Sequence, residues 1–165
     1  MVLDVCVGKK PPFSPSEVVQ EYSDLLKAYK CFSVVGDRYA GEWPVEAFAK
    51  VGIAYQHSAW TKSELYLESL PLFTCGVVDL IDSQPLRLEL QGLERRTGKG
   101  RDSVDHGPNG HDDFANACCG ALVLAHAQDR QQGRMVPLLE GWAGEPDAGE
   151  ADIYISSSGR VFDIE

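Results

Sequence analysis

The sequence predicts an α/β protein built on a mixed sheet with a parallel portion and flanked by helices. Three observations carry this prediction. Short apolar runs of strand length alternate with amphipathic helical segments. Most of those segments carry start and stop signals. A basic hairpin and a long helix of small residues then follow.

Taken in order, residues 2–7 are the first strand, ended by Pro11-Pro12. Ser14 and Glu17 have capping-box spacing, with Pro15 at the first helical position. Val18, Val19, Tyr22, Leu25, Leu26 and Tyr29 then recur at helical spacing. Residues 31–35 are a buried strand running into Gly36-Asp37, and Pro44 opens a helix that Gly52 closes. Residues 53–56 are a strand. Thr61 and Glu64 make a second capping box ahead of Leu65, Tyr66, Leu70 and Phe73, with Gly76 as the stop. A strand at 77–81 and a short helix at 85–91 follow. Residues 93–97 and 103–106 flank Gly98-Lys99-Gly100-Arg101 as a hairpin, and residues 112–128 form the small-residue helix.

Composition narrows the function. The 165 residues suit one domain, and 44% hydrophobic with 24% charged residues excludes disordered and collagen-like chains. No apolar run nears the roughly 20 residues of a spanning helix. Residues 1–10 lack the pattern of a secretory leader. The five cysteines (Cys6, Cys31, Cys75, Cys118, Cys119) are odd in number and contain no C-x-x-C, which speaks against disulfides or zinc and for a reducing interior. A net charge of −10 argues against a generic nucleic-acid coat. The charge is uneven, however: from Glu140 onward seven acids face a single base, Arg160. With Gly141, Gly144, Pro146, Gly149 and the serines 156–158, this divides the chain into a domain at 1–133 and an acidic, weakly ordered tail at 134–165. Ile153, Ile155, Val161 and Phe162 could still form a short hairpin within it.

Three groups of residues carry candidate chemistry. Asp37 follows an apolar strand at its C-terminal end, where α/β sheets bind ligands, but it also suits a turn. Asp112 and Asp113 open a helix after Gly107-Pro108-Asn109-Gly110 and His111. One acid is explained as a cap, and two converging on a strand end could hold a hard divalent cation. Two such ions about 3.5–4 Å apart would suit phosphodiester chemistry. Arg95, Arg96, Lys99 and Arg101 make the densest positive patch, fit either for tracking phosphates or for solvating a hairpin. Five residues, not four, separate Gly92 from Gly98, so the segment is not a phosphate-binding loop. His57 and His126 read as surface or packing residues, Cys118 and Cys119 as core. Trp43 and Trp60 read as core rather than as base-stacking platforms.

Residues 34–44 (VVGDRYAGEWP), 93–98 (LERRTG) and 105–113 (DHGPNGHDD) together resemble the C-terminal nuclease domain of the large subunit of phage terminases, the DNA-packaging motors of tailed phages. The resemblance spans about residues 2–127. It implies an RNase H-like fold and an endonuclease that uses Mg²⁺ or Mn²⁺ at a two-metal site to cut concatemeric double-stranded DNA. It also implies Asp37 as the second metal acid, and Asp112 and Asp113 as the third, with Asp113 favoured and Asp112 assisting. The hairpin of Arg95, Arg96, Lys99 and Arg101 would engage the DNA backbone. The implied partners are the terminase small subunit and the portal, with no membrane. The implied location is the host cytoplasm and, transiently, the procapsid portal.

The chain also departs from the family pattern. Residues 2–7 match the family's third strand, Asp4 does not match the first metal acid, and no Walker loop marks an ATPase motor. The expectation is an RNase H-like domain lacking its first strands, from a fragmented prophage gene or a split gene. It would be impaired as a nuclease, with an open slot beside the strand ending at Asp37. Unpaired strand edges there would make it aggregation-prone unless a second polypeptide supplied the missing strands. The alternatives are a non-catalytic fragment that binds the packaging complex, or another RNase H-like nuclease, such as a resolvase or transposase relative.

Overall fold

Successive residues of a strand point to opposite faces, so a strand apolar at every position needs cover on both sides. The strand Ser33–Gly36 makes this demand at its two consecutive valines, Val34 and Val35, both buried. The computed structural model, which describes residues 1–37, 41–97, 102–108, 110–131, 153–155 and 161–164, supplies that cover. Its elements are β1 (Val2–Val7), α1 (Pro15–Ala28), β2 (Ser33–Gly36), α2 (Glu42–Lys50), β3 (Ala54–His57), α3 (Lys62–Thr74) and β4 (Asp79–Leu80). They continue with α4 (Gln84–Gln91), β5 (Leu93–Arg96), β6 (Ser103–His106), α5 (Asp113–Gln131), β7 (Ile153–Ile155) and β8 (Val161–Ile164).

Val34 packs with Val18, Val19, Tyr22 and Leu26 of α1, Phe48 of α2, and Ile53. Val35 joins a second cluster with Leu3, Leu65, Leu86 and the small residues of α5. The sheet therefore lies between two apolar layers, and β2 contributes to both. On β1, Leu3 and Cys6 both meet the second cluster although an odd spacing should put them on opposite faces. A register shift between Leu3 and Val5 opposite β8 absorbs one residue and restores the shared face. Asp4, the residue at that shift, accepts the Tyr29 hydroxyl at 2.8 Å.

The six-stranded sheet has the order β3-β2-β7-β8-β1-β4, and β5-β6 form a separate two-stranded sheet. The slot expected to stand open beside β2 is filled, which corrects the expectation of unpaired edges. β7 runs parallel to β2 with Val34 opposite Ile153 and Gly36 opposite Ile155. β8 turns back antiparallel to β7 and pairs with β1, Cys6 opposite Phe162 and Val7 opposite Val161. The hairpin expected from Ile153, Ile155, Val161 and Phe162 is thus present, and it forms the middle of the sheet. α5 packs across β7 and β8 and against α3 and α4. The boundary near Gly133 falls outside the described residues.

Local signals mostly acted as expected. Thr61 and Glu64 form a reciprocal capping box, whereas Ser14 occupies the N-cap of α1 without a side-chain capping bond. α2 starts two residues before Pro44, after Gly41 at φ 71°, a conformation glycine adopts at little cost. Only Asp79–Leu80 of the expected 77–81 strand pairs.

Removing residues 153–165 would expose the facing edges of β2 and β1 and uncover one side of α5. The shortened chain is expected to lose its cooperative thermal transition and to aggregate, as read by circular dichroism and light scattering. An unchanged transition would contradict this role for the hairpin.

Candidate metal centre

Helix α5 begins at Asp113, and its first turn leaves N–H groups without helical partners. Two of them, on Phe114 and Ala115, donate to one oxygen of Glu89 from α4, at 2.6 and 3.0 Å. This capping acid comes from another helix, which leaves the Asp112 carboxylate to other partners. The Tyr66 hydroxyl donates to Asp112 Oδ2 at 2.7 Å, and Lys62 Nζ reaches the same oxygen at 2.9 Å. Asp112 is 8% exposed, so its charge is held by partners in place of water. Asp113, next along the chain, is half-buried in the first turn.

Lys62 and Tyr66 are one turn apart on α3 and therefore share a face. The same lysine donates to Asp105 Oδ1 on β6 at 2.6 Å, and Ser63 Oγ accepts the Val104 N–H at 2.9 Å. These bonds fasten the start of α3 to the hairpin strand. Partial burial works against the ammonium, but its bonds to Asp105 and Asp112 outweigh it and raise Lys62 above its ordinary 10.5. The Lys62 hydrogen bond is the main cause holding Asp105 below its ordinary 3.8. Burial, then the charge of Asp112, pushes the Tyr66 hydroxyl up.

Among the described residues, one group of three possible metal ligands converges: Asp105, His106 and Asp112, with ligand atoms within 4.8 Å of one another. His106 Nδ1 lies 2.8 Å from the Gly107 carbonyl and must donate to it, so in the neutral ring Nε2 keeps its lone pair. Asp37 and Asp113 are not in this group. Asp37 sits half-buried just past the end of β2. A Cβ on Gly36 would lie 2.0 Å from the Tyr55 hydroxyl oxygen, so glycine lets that ring close over the strand end. Tyr55 stacks on Phe48 at 5.7 Å and meets His57 edge-on at 5.6 Å. Burial and then the nearby Asp37 charge push its pKa up to about 12.

In the hairpin, Arg95 donates through Nε to Asp102 at 3.0 Å with its Nη2 on the same oxygen, and Arg96 lies 3.7 Å from Glu94. Both arginines remain solvent-exposed. Lys99 and Arg101 lie outside the described residues. Trp60 packs on the core as expected, but Trp43 is 50% exposed in the first turn of α2 and is not a core residue. His57 and His126 are exposed, and Cys118 and Cys119 are buried with thiols pushed up by desolvation. None of the five cysteines, all of them among the described residues, forms a disulfide.

Lys62, Tyr66 and Glu89 carry no mark as site residues in the sequence, and Asp105 stands there only as part of the 105–113 motif. The i, i+4 spacing of Lys62 and Tyr66 is visible in the sequence, but only the tertiary packing directs both at Asp112. Glu89 gives no such signal, because its bonds to the first turn of α5 exist only once α4 and α5 have packed together.

The fold matches a phage terminase nuclease. The crystal structure of the large terminase nuclease from thermophilic phage G20c aligns with a TM-score of 0.56 and 25% sequence identity, over 70% of this chain and 63% of that one. The chain thus spans less than two thirds of that structure. No family model matches the sequence, and no curated protein does. The expected mixed α/β, RNase H-like class is therefore met. Among the described residues no helix is long and apolar enough to cross a membrane.

Two outcomes follow from this geometry. Gly36→Ala should drive Tyr55 off the strand end and lower stability by about 1–3 kcal/mol, as expected of overpacking. A Tyr55→Ala background should remove most of that increment in a double-mutant thermal-melt cycle. The Asp105–Lys62 pair, partly exposed, is worth under about 1 kcal/mol. Because Asp105 is depressed when folded, its contribution is present above pH 3.8 and is lost as pH falls through the lower folded value. The stability gap between the unaltered chain and Asp105→Asn should therefore stay constant near neutrality and close in acid.

Proposed function

We propose that this chain is the nuclease part of a phage terminase large subunit, whose reaction is metal-dependent endonucleolytic cleavage of concatemeric double-stranded DNA during packaging. The observation that carries this reading is the fold match to a terminase nuclease at 25% identity. The Gly36-Asp37-Arg38-Tyr39 and Gly110-His111-Asp112-Asp113 motifs, at the end of β2 and the start of α5, support it.

The donor set suits Mg²⁺ or Mn²⁺. Asp37 and Asp113 offer carboxylate oxygens, the ligands hard divalent cations prefer. One turn beyond Asp113, Asn116 is 4% exposed and its Oδ1 has no partner among the described residues. Asp37 and Asp113 would hold the metal, and Asp112, bonded to Lys62 and Tyr66, would assist by fixing the first turn of α5. Such a metal activates water and stabilises the leaving oxygen of a phosphodiester. The hairpin cations Arg95, Arg96, Lys99 and Arg101 would hold the DNA backbone, with Arg95 and Arg96 exchanging Asp102 and Glu94 for phosphate. The terminase small subunit and the portal are the expected protein partners, in the host cytoplasm.

One observation favours weak cutting. The resemblance implies that the strand beside β2 carries the first metal acid, but β7 reads Ile-Tyr-Ile and has no carboxylate. A non-catalytic partner of the packaging complex is therefore the second reading. Plasmid nicking in Mn²⁺ should be absent or slow, while calorimetry should detect Mn²⁺ binding that Asp37→Ala and Asp113→Ala each abolish. Fast cutting would refute the weak-cutting reading, and metal binding that survives both substitutions would refute the site. Replacing Arg95 and Arg96 by alanine should weaken DNA binding uniformly across sequences. The slope of log affinity against log salt should also become shallower, by about 0.9 per lost phosphate contact.

A further inference from the structure

We infer that Lys62 is a resident cation in the Asp105–His106–Asp112 cluster, which closes that cluster to divalent metal and leaves Asp113 as the metal-binding member of the adjacent acid pair. The statement about Asp113 rests on the proposed nuclease function. The statement about Lys62 stands on geometry alone.

Two carboxylates and the His106 imidazole bring ligand atoms within 4.8 Å of one another, a set that would attract a divalent ion if it were vacant. It is not vacant, because the Lys62 ammonium bonds both carboxylates at once, at 2.6 Å to Asp105 and 2.9 Å to Asp112. The Asp112 oxygen it uses also accepts the Tyr66 hydroxyl at 2.7 Å, so both of its lone-pair directions are occupied. Lys62 is the first residue of α3, whose start is held by the Thr61–Glu64 capping box and by the Ser63–Val104 bond. The ammonium is therefore delivered from a fixed backbone. A metal entering the cluster would have to displace it and leave its charge beside a divalent ion, a strongly unfavourable arrangement. Asp113 makes neither the Lys62 nor the Tyr66 contact. The lysine thus distinguishes two neighbouring carboxylates that the sequence presents as equivalents, and it ties β6 to the first turn of α5.

The test uses the full chain carrying Asp37→Asn and Asp113→Asn, so that the proposed nuclease metal site is removed before Lys62 is examined. Calorimetric titration of this background with Mn²⁺ should show no site. Adding Lys62→Met should create one site per chain, at least about tenfold tighter than any residual binding, and adding Asp112→Asn should abolish it again. Lys62→Arg, which keeps the charge, should leave the cluster closed. Mn²⁺ binding in the background that Asp112→Asn removes would overturn the proposal, as would a folded Lys62→Met protein that gains no site. Should Lys62→Met fail to fold, reductive methylation of the unaltered chain decides the matter. Lys62 should react more slowly than the exposed Lys27, at a rate that Mn²⁺ does not change, and acceleration by Mn²⁺ would overturn the proposal. Failure of the nuclease reading would appear separately, as Mn²⁺ binding in the unaltered chain that is indifferent to Asp37 and Asp113.

Discussion

β2 is the element on which the rest of the structure depends. Its two buried valines face opposite layers, so α1 and α2 must cover one side while α3, α4 and α5 cover the other. A strand so enclosed also needs both hydrogen-bonding edges satisfied, because no water reaches them. β3 satisfies one edge and β7 the other. The position of the candidate acid Asp37 follows from this burial: the chain leaves the sheet at Gly36, and Asp37 is the next residue, half-buried just past the strand end.

A second node lies at Asp112. It receives bonds from α3, its neighbour Asp113 begins α5, and Glu89 of α4 caps the same helix. Three helices and the hairpin strand β6 meet within a few residues, each through a charged or hydroxyl group. Buried polar groups of this kind are costly unless every partner is present, and here the partners come from distant parts of the chain. The network gives α5 one position relative to the hairpin. If the hairpin holds DNA, that position sets where phosphate lies relative to the acids.

The charge distribution agrees with such a division of labour. Much of the net −10 lies in the last part of the sequence, and the cluster around Asp112 carries its own lysine. The hairpin arginines are exposed and, among the described residues, pair with acids on the same hairpin, interactions weak enough for phosphate to replace. An acidic protein can therefore still present a basic edge.

The helices, the hairpin and most strand positions are legible in the sequence, because capping residues, glycine stops and periodicities of 2 and 3.6 act over a few neighbouring residues. The sequence also singles out Asp37, Asp112 and Asp113 through their positions beside a strand end and a helix start. Tertiary structure alone decided which strands fill the middle of the sheet. β7 and β8 are short, lie far along the chain from β2 and β1, and carry no local mark of their partners. It alone also decided that Asp112 is held by Lys62 and Tyr66 while Asp113 is not. Two adjacent aspartates are chemically identical in a sequence, and only the packing of α3 and β6 around the start of α5 gives them different surroundings.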